Sequence, residues 1–537
     1  MTDPRDFQVI YNGQPGHLAI DEHIRIQQGL GDQATSALEF PTKSLALATF
    51  VPAAATSHRL RLIYFETSLD VSDDDDVPSV RTADVELDSS INSTTVAQHP
   101  QLSQCFVSQS QDQEQRSRPI HVIINDFAGK RDLASSFASR VVGPLLLLSG
   151  IIDGSNLRLH ETQSAEDGVN IGKTIRRQGQ QSTVIVLGGD GTVSEVLNGL
   201  LRDDDNKVSS MSPETDFVVV PLGTANAQYY HLFPPERDVS SPAQRRLQSL
   251  LSFVLRRQSL PLAFAVNEIS TTSQDDSQPQ PILTTVVTSA ALHSALLFDA
   301  EALRSSMPGL ERFKVAAQQN ATRWFNGTLK LSTLLKDNCK QVRRYNSIEA
   351  RFVDVDKQEV VLEGPFSYFV SALVSRFEPT FVVAPLRSPD HASSSTPNYE
   401  RSETAQRSSD LASSMDIVVI RPLRDPETQQ AVALANGNEE QLQKIRQGFA
   451  QKLWSVTAGM YDGGKHINAR YEADGGEGSE IVEYYRCEKL KWIPGPDEDE
   501  KGRIVCFDGA LREIGQGGSV TSHVTTSSES AAIRIWA

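Results

Sequence analysis

One segment constrains the fold more than any other part of the chain: residues 183–200, which read TVIVLGGDGTVSEVLNGL. Its first half is a continuous apolar run of the kind that forms a buried parallel strand. The run passes directly into a glycine-rich turn, and apolar side chains at helical spacing follow. Glycines at a strand-to-helix turn let backbone N–H groups approach a phosphate, and the helix N-terminus adds partial positive charge. The segment therefore predicts an anion-binding turn in an α/β domain.

Asp190 lies between the glycines of this turn. A carboxylate in that position can accept a proton from a hydroxyl group or help to hold Mg²⁺. The alternative interpretation is structural, with Asp190 capping a helix in a tight turn. The flanking glycines favour the first interpretation.

The rest of the sequence divides into three parts. Residues 1–117 hold short β-like runs and then a Ser/Gln-rich tract, which predicts a small β-rich N-terminal module and a linker. Residues 118–255 alternate apolar runs with helical patterns, as in an α/β nucleotide-binding domain. Strand-like runs dominate residues 256–537 and predict an antiparallel β domain. Within it, residues 387–414 are rich in Ser and poor in apolar side chains, so we expect a disordered insertion there.

Composition and charge exclude several classes of function. The chain has 51 Lys and Arg residues against 68 Asp and Glu, a formal net charge of −17, so broad binding to nucleic acid is not expected. Its four cysteines and eleven histidines show no spacing typical of a metal site. The most apolar stretch, residues 144–152, is far shorter than the ~20 residues that span a bilayer. A soluble or peripheral protein of a reducing compartment fits these features best.

Four motifs resemble, in order, those of the diacylglycerol kinase catalytic family, the lipid kinases that include sphingosine and ceramide kinases. The glycine turn continues into EVLNGL, similar to the family's E-V-x-N-G-L. HVIINDFAGK at 121–130 is similar to the first-strand motif N-P-x-G-G-K, and Thr162 lies where the family has a nucleotide-contacting threonine. VPLGTANA at 220–227 is similar to a second glycine-rich turn. The G-G-D-G turn alone also occurs in NAD kinases and phosphofructokinases, but the EVLNGL continuation favours a lipid kinase.

The resemblance covers about residues 119–537 and implies both a fold and a site. The implied fold is a phosphofructokinase-like α/β nucleotide-binding domain followed by an antiparallel β-sandwich domain, with ATP and Mg²⁺ in the cleft between them. Asp190 becomes the catalytic residue that receives the hydroxyl proton. The implied ATP-binding residues are Asn125, Gly129, Lys130, Thr162, Gly188, Gly189, Gly191, Thr192, Glu195, Gly223, Thr224, Asn226, Arg312, Asp508 and Gly509. Such an enzyme is expected in the cytoplasm, peripherally attached to the intracellular membranes that hold its lipid.

The second domain carries the predicted lipid contact. SALLFDAEALRSSMPGLERF at 294–313 resembles a sphingosine kinase segment, and an ungapped comparison places Asp299 at the family's lipid-headgroup aspartate. The same comparison places Arg312 at a phosphate-contacting arginine. A carboxylate suits an amino-alcohol headgroup, because it can pair with the ammonium and hold the hydroxyl. The resemblance therefore favours phosphorylation of the primary hydroxyl of a sphingoid base.

One departure from the family leaves alternatives open. CFDGA at 506–510 resembles the family's V-D-G-E turn, but Ala510 replaces its glutamate. A missing carboxylate can weaken Mg²⁺ placement, because this ion prefers oxygen ligands. The alternatives are a catalytically weak pseudokinase that binds nucleotide or lipid, a diacylglycerol or ceramide kinase, and a related kinase with a soluble substrate.

Overall fold

A computed structural model gives the fold of most of the chain. It describes residues 6–29, 34–51, 58–66, 77–88, 91–107, 117–129, 131–203, 207–208, 213–237, 244–271, 280–307, 309, 311–334, 341–387, 411–471, 478–525 and 532–537.

The N-terminal module is built around one eight-stranded sheet. Its elements are β1 (Asp6–Tyr11), β2 (Gln14–Ile20), β3 (His23–Gln28), β4 (Thr35–Pro41), β5 (Leu45–Val51), β6 (His58–Glu66), β7 (Ser79–Leu87), α1 (Ser93–Ala97) and β8 (Phe106–Val107). The strand order is β4-β3-β2-β1-β7-β6-β5-β8, and only β5 and β8 pair in parallel. Leu47, Ile63 and Phe65 of this sheet share a hydrophobic core with Val122 and Leu145 of the next domain, so the module packs directly on its neighbour.

The second part of the chain is an α/β domain. Its elements are β9 (Ile120–Ile124), α2 (Leu133–Phe137), α3 (Gly143–Leu148), β10 (Leu157–Glu161), α4 (Ala165–Gln178), β11 (Ser182–Gly188), α5 (Asp190–Leu201), β12 (Thr215–Pro221), α6 (Ala227–Leu232), α7 (Gln248–Val254) and β13 (Ser259–Pro261). A π-helical turn, Ala138–Val142, joins α2 to α3. Strands β9 to β12 are parallel, and β11 is buried along its whole length. Helix α5 buries Val193, Val196 and Leu200 against this sheet, as its apolar spacing predicts.

Two strands of this sheet come from regions that the sequence assigned to the β domain. The strand order is β10-β9-β11-β12-β28-β13, where β28 is Ile533–Trp536 at the chain's end. β28 runs parallel to β12 and antiparallel to β13. The sequence prediction thus placed β13 and β28 with the wrong partners. A short apolar strand signals its conformation locally, but its neighbours in a sheet depend on distant segments.

The third part is β-rich. Its elements are β14 (Ala265–Ser270), β15 (Ile282–Thr284), β16 (Val287–Ala291), α8 (Leu292–Ala302), α9 (Glu311–Asn320), β17 (Gly327–Ser332), β18 (Arg343–Asn346), β19 (Arg351–Asp354), β20 (Glu359–Glu363), β21 (Tyr368–Ala372), β22 (Met415–Ile420), α10 (Pro426–Ala435), α11 (Glu439–Tyr461), β23 (Glu483–Cys487), β24 (Lys489–Pro494), β25 (Ile504–Phe507), β26 (Ala510–Glu513) and β27 (Ser519–Val524).

These strands form two antiparallel sheets with one shared core. The strand orders are β15-β14-β27-β24-β17-β20 and β19-β18-β23-β22-β21-β16-β25-β26. Leu329 and Trp492 from the first sheet pack with Phe369 and Ile417 from the second. Helix α11 covers the other face of the second sheet through residues such as Phe449.

The disordered insertion predicted for residues 387–414 includes ordered residues at both of its ends. Residues 388–410 lie outside the described residues, and there the prediction stays a prediction. Arg387, however, is only 1% exposed, donates to the carbonyl of Leu411 and lies 3.6 Å from the buried carboxylate of Asp416. Both ends of the segment therefore belong to the packed structure, because composition averaged over a window cannot resolve where order begins.

No helix among the described residues has the length and apolar character needed to cross a membrane.

Candidate active site

Three turns meet at the carboxyl edge of the parallel sheet. They follow β9, β11 and β12, and parallel strands bring their carboxyl ends to the same edge. The backbone N–H of Asn125 donates to the Leu187 carbonyl at 3.1 Å, and that of Leu222 donates to the Gly188 carbonyl at 3.0 Å. In α/β sheets this edge is where ligands bind.

The turns touch one another through bare backbone, which is why they need glycine. A Cβ atom on Gly223 would lie 2.6 Å from the Cα atom of Gly189. Gly129 has a φ of +68°, and a Cβ there would lie 2.3 Å from the carbonyl oxygen of Leu222. The absence of side chains leaves backbone N–H groups open to an anion.

Polar side chains tie the turns together. Asn125 Nδ2 donates to Thr192 Oγ1 at 2.8 Å and so joins the first turn to α5. Asn226, in a left-handed conformation, accepts from the Gly223 N–H and donates to the Gly223 carbonyl, both at 2.8 Å. Thr224 is exposed in the same turn. Asn125, Thr192 and Asn226 therefore shape the turns.

Asp190 bridges the two glycine turns. Its Oδ2 accepts from the N–H of Ala227 at 2.7 Å, and its Oδ1 accepts from the N–H of Gln228 at 2.9 Å. Asp190 thus caps α6, which is a different helix from the one that it begins. Burial raises the pKa of the carboxyl group above its ordinary value, and these two N–H donors oppose the rise. Each carboxylate oxygen keeps a further lone pair for a hydroxyl proton.

A second carboxylate approaches from the β-rich part of the chain. Asp508 accepts from the N–H groups of Thr285 at 2.6 Å, Val286 at 2.9 Å and Val287 at 2.8 Å. Burial raises its pKa to about 6, the three N–H donors oppose the rise, and the negative charge of Asp190 adds to it. The charge of Asp190 therefore disfavours ionisation of Asp508, an effect that a cation bound near both groups would relieve.

The neighbours of Asp508 are open to solvent. Gly509 is exposed with a φ of +92°, and its N–H donates to Cys506 Sγ at 3.2 Å. Ala510, at the position of the family's glutamate, is exposed as well. Among the described residues, no three His, Cys, Asp or Glu side chains cluster as a ready metal site.

Glu195 and Thr162 line the side of the site next to α4. The Glu195 side chain packs on Gly168, where a Cβ atom would lie 2.7 Å from the carboxylate. Burial, and next the negative charge of Asp167, raise the pKa of Glu195 to about 7. Thr162 is buried, and its N–H donates to the Ile124 carbonyl at 3.0 Å.

The remaining predicted residues lie on or near α8 and α9. Arg312 is 8% exposed, donates to the Gly309 carbonyl at 2.7 Å and stacks over the Phe313 ring at 4.4 Å. Its Nε is buried without a hydrogen-bond partner among the described residues. Lys130 lies outside the described residues, so the structure does not place it.

Asp299 has partners within the chain. Its Oδ2 accepts from Lys501 Nζ at 2.8 Å and from Asn320 Nδ2 at 2.6 Å. No sequence pattern indicates this ion pair, because Lys501 lies 202 residues from Asp299 and belongs to none of the motifs described above. The backbone donors at Ala227 and Val287 were missed for the same reason.

A family model decides what the α/β domain is: the diacylglycerol kinase catalytic domain matches residues 119–252. Residues 119–252 belong to the diacylglycerol kinase catalytic-domain family. The family prediction is confirmed for this segment, which contains the three turns that follow β9, β11 and β12.

Three individual proteins are also similar to this chain, either over a short stretch or at low identity. The mitochondrial acylglycerol kinase of Xenopus laevis is 39% identical over 79 residues, which is 15% of this chain and 17% of that protein. The chain thus spans under a fifth of this relative. A diacylglycerol kinase from Bacillus anthracis str. Sterne is 12% identical, with 76% of this chain and 95% of that chain covered and a TM-score of 0.37. Yeast NADH kinase is 8% identical over 78% of this chain and 82% of its own, with a TM-score of 0.28.

Proposed function

We propose that this protein is an ATP- and Mg²⁺-dependent lipid kinase that phosphorylates a lipid hydroxyl group. The observation that carries the proposal is the contact between the glycine turns of Gly189 and Gly223, with Asp190 bridging them. The catalytic-domain match at residues 119–252 supports the same reaction class.

The residues at the turns fit a nucleotide. Backbone N–H groups at Gly189 to Gly191, where α5 begins, would hold phosphate oxygens, and Gly188, Thr192, Gly223 and Thr224 would line the same turns. Asp190 and Asp508 would hold Mg²⁺ together with water and phosphate oxygens, since this ion keeps several waters and takes few carboxylates. Mg²⁺ would supply neutralisation of the phosphate charge.

Asp190 would receive the proton of the attacking hydroxyl. As the hydroxyl oxygen bonds to the γ-phosphorus, its proton passes to the carboxylate and ADP leaves with the electrons of the broken bond. The bonds from Ala227 and Gln228 fix the carboxylate in place before reaction. Lys130 and Arg312 would stabilise the charge on the transferred group.

Two lipid classes are candidates for the acceptor. The segment around Asp299 resembles sphingosine kinases and favours a sphingoid base. The partial match with acylglycerol kinase favours an acylglycerol. Either substrate resides in membranes, so we propose peripheral attachment of a cytoplasmic protein to an intracellular membrane.

A second candidate function is nucleotide or lipid binding without efficient transfer. Ala510, which supplies no carboxylate where the family has a glutamate, favours it.

The test is phosphate transfer from labelled ATP, with Mg²⁺, to a panel of acylglycerols, ceramide and sphingoid bases. Asp190→Asn should lower turnover by at least ~10²-fold, because a positioned base contributes that much or more. A melting temperature near that of the native protein would show that the fold persists. Unchanged turnover would remove Asp190 from the mechanism, and ATP binding without any lipid product would favour the binding function.

A further inference from the structure

The carboxylate predicted to hold a lipid headgroup is already paired with a cation of the chain. Asp299 Oδ2 lies 2.8 Å from Lys501 Nζ, and the two side chains are only 19% and 28% exposed. We propose that Lys501 is a specificity-determining residue that closes Asp299 to ammonium headgroups and directs the site to lipids with a hydroxyl group but no amine. This inference deepens the proposed function and rests on it, because it takes Asp299 as the headgroup contact.

The second partner of Asp299 is fixed, which limits how the carboxylate can respond to a ligand. Asn320 is 3% exposed, and its Nδ2 donates both to Asp299 at 2.6 Å and to the Ala316 carbonyl at 2.8 Å. This second bond anchors the amide to its own helix, α9. Asn320 is thus buried and bonded twice, whereas the Lys501 side chain is 28% exposed, so the Lys501 contact is the one that a ligand can reach.

Lys501 is itself held in place by its surroundings. It begins a short 3₁₀ helix, Lys501–Arg503, and the Gly502 N–H donates to Asp499 Oδ1 at 2.9 Å. Arg323 clamps Asp499 with bonds of 3.0 and 2.5 Å. The lysine thus projects from a braced turn, unlike a lysine on a mobile surface loop.

This arrangement discriminates between headgroups by charge. An ammonium headgroup must displace Lys501 or share one carboxylate with it, and two like charges at such distances repel each other. A hydroxyl group needs only one acceptor lone pair, which Asp299 Oδ1 offers without any loss of the ion pair. Neutral hydroxyl lipids such as acylglycerols therefore fit the occupied carboxylate better than amino alcohols do.

The test compares kcat/KM for monooleoylglycerol and for sphingosine in mixed micelles at pH 7.4. In Lys501→Met the carboxylate loses its cation, so the sphingosine-to-monooleoylglycerol ratio should rise about tenfold or more, the range of one charge-assisted contact. Lys314→Met is the matched control, because Lys314 lies on α9 but is 71% exposed and pairs with the neighbouring, exposed Glu311. The control should leave the ratio unchanged, and adding Asp299→Asn to Lys501→Met should abolish the gain.

The outcomes separate this inference from the proposed function. A native enzyme that prefers sphingosine, or a Lys501→Met ratio equal to the native one, would overturn the inference while leaving a lipid kinase. If no lipid is phosphorylated, the proposed function fails. The inference about Lys501 is then tested by the binding of fluorescent sphingosine and fluorescent monoacylglycerol to the native protein and to Lys501→Met. Tighter binding of sphingosine alone by Lys501→Met supports the inference, and equal binding refutes it. Lys501→Gln replaces the Met variant if that protein does not fold.

Discussion

Replacing Gly223 by alanine tests whether the contact between the two glycine turns shapes the site. The new methyl group would lie 2.6 Å from Gly189 Cα and 3.2 Å from Gly189 N. Both atoms are backbone, so no flexible side chain can move aside. Ordinary contact begins at 3.4 Å, so the turns must separate by about 0.8 Å.

The cost follows from this displacement. Overpacking of a tight contact typically costs about 1–3 kcal/mol, against which alanine gains about 0.4–1 kcal/mol from the unfolded state. We expect a net loss of about 1–2 kcal/mol in the free energy of unfolding of the α/β domain. Turnover should fall by about 10²-fold, since a misplacement near 1 Å has that effect on aligned reacting groups.

Gly191→Ala is the matched control within the same motif. Its Cβ atom would meet nothing closer than Glu195 Oε1 at 4.0 Å, and the residue lies in the first turn of α5. Alanine in a helix is favoured over glycine by up to ~1 kcal/mol, so this variant should be as stable as the native protein or more so. Urea unfolding followed by circular dichroism measures stability, and labelled-ATP transfer measures turnover. A Gly223→Ala protein as stable as Gly191→Ala would refute the steric argument.

Two further predictions concern the carboxylates of the site. The pKa of Glu195 is raised to about 7 from an ordinary 4.5, so the folded state binds this proton more tightly than the unfolded state does. The folded state therefore loses stability as the pH rises from about 4.5 through 7. Glu195→Gln should remove this loss, so its melting temperature should exceed that of the native protein at pH 8 and differ little from it at pH 4.5. A constant difference in melting temperature between the two proteins across this pH range would contradict the prediction. Ala510→Glu should raise apparent Mg²⁺ affinity in the transfer assay by about tenfold, because the exposed position has room for an added oxygen ligand near Asp508. No change in the Mg²⁺ dependence, with an unchanged melting temperature, would show that the site does not use a carboxylate there.

The glycine turns show how much of the site is readable in the sequence. The β-branched run before Gly188 predicts a buried strand, and the spacing after it predicts α5. The family resemblance then placed Asn125 and Thr192 at one site, and the structure joins them by a hydrogen bond. These features rest on local patterns, or on motifs in a fixed order.

Other features required the tertiary structure. Asp190 caps α6 through Ala227 and Gln228, a helix other than the one that it begins, and its catalytic role stays a prediction. The negative charge of Asp190 helps to raise the pKa of Asp508, which lies more than 300 residues away in the chain. Neither relationship has a local signature.

The sequence by itself determined the strand–turn–helix unit of residues 183–200, the α/β character of its domain and the family to which residues 119–252 belong. Periodicity and glycine placement encode these because they act over a few neighbouring residues. Only the tertiary structure decided that β28 pairs with β12 in the sheet of the α/β domain and that Lys501 forms an ion pair with Asp299. Sheet neighbours and ion pairs between distant segments depend on how the whole chain packs. A carboxylate has no sequence pattern that shows whether its partner is a substrate or a lysine.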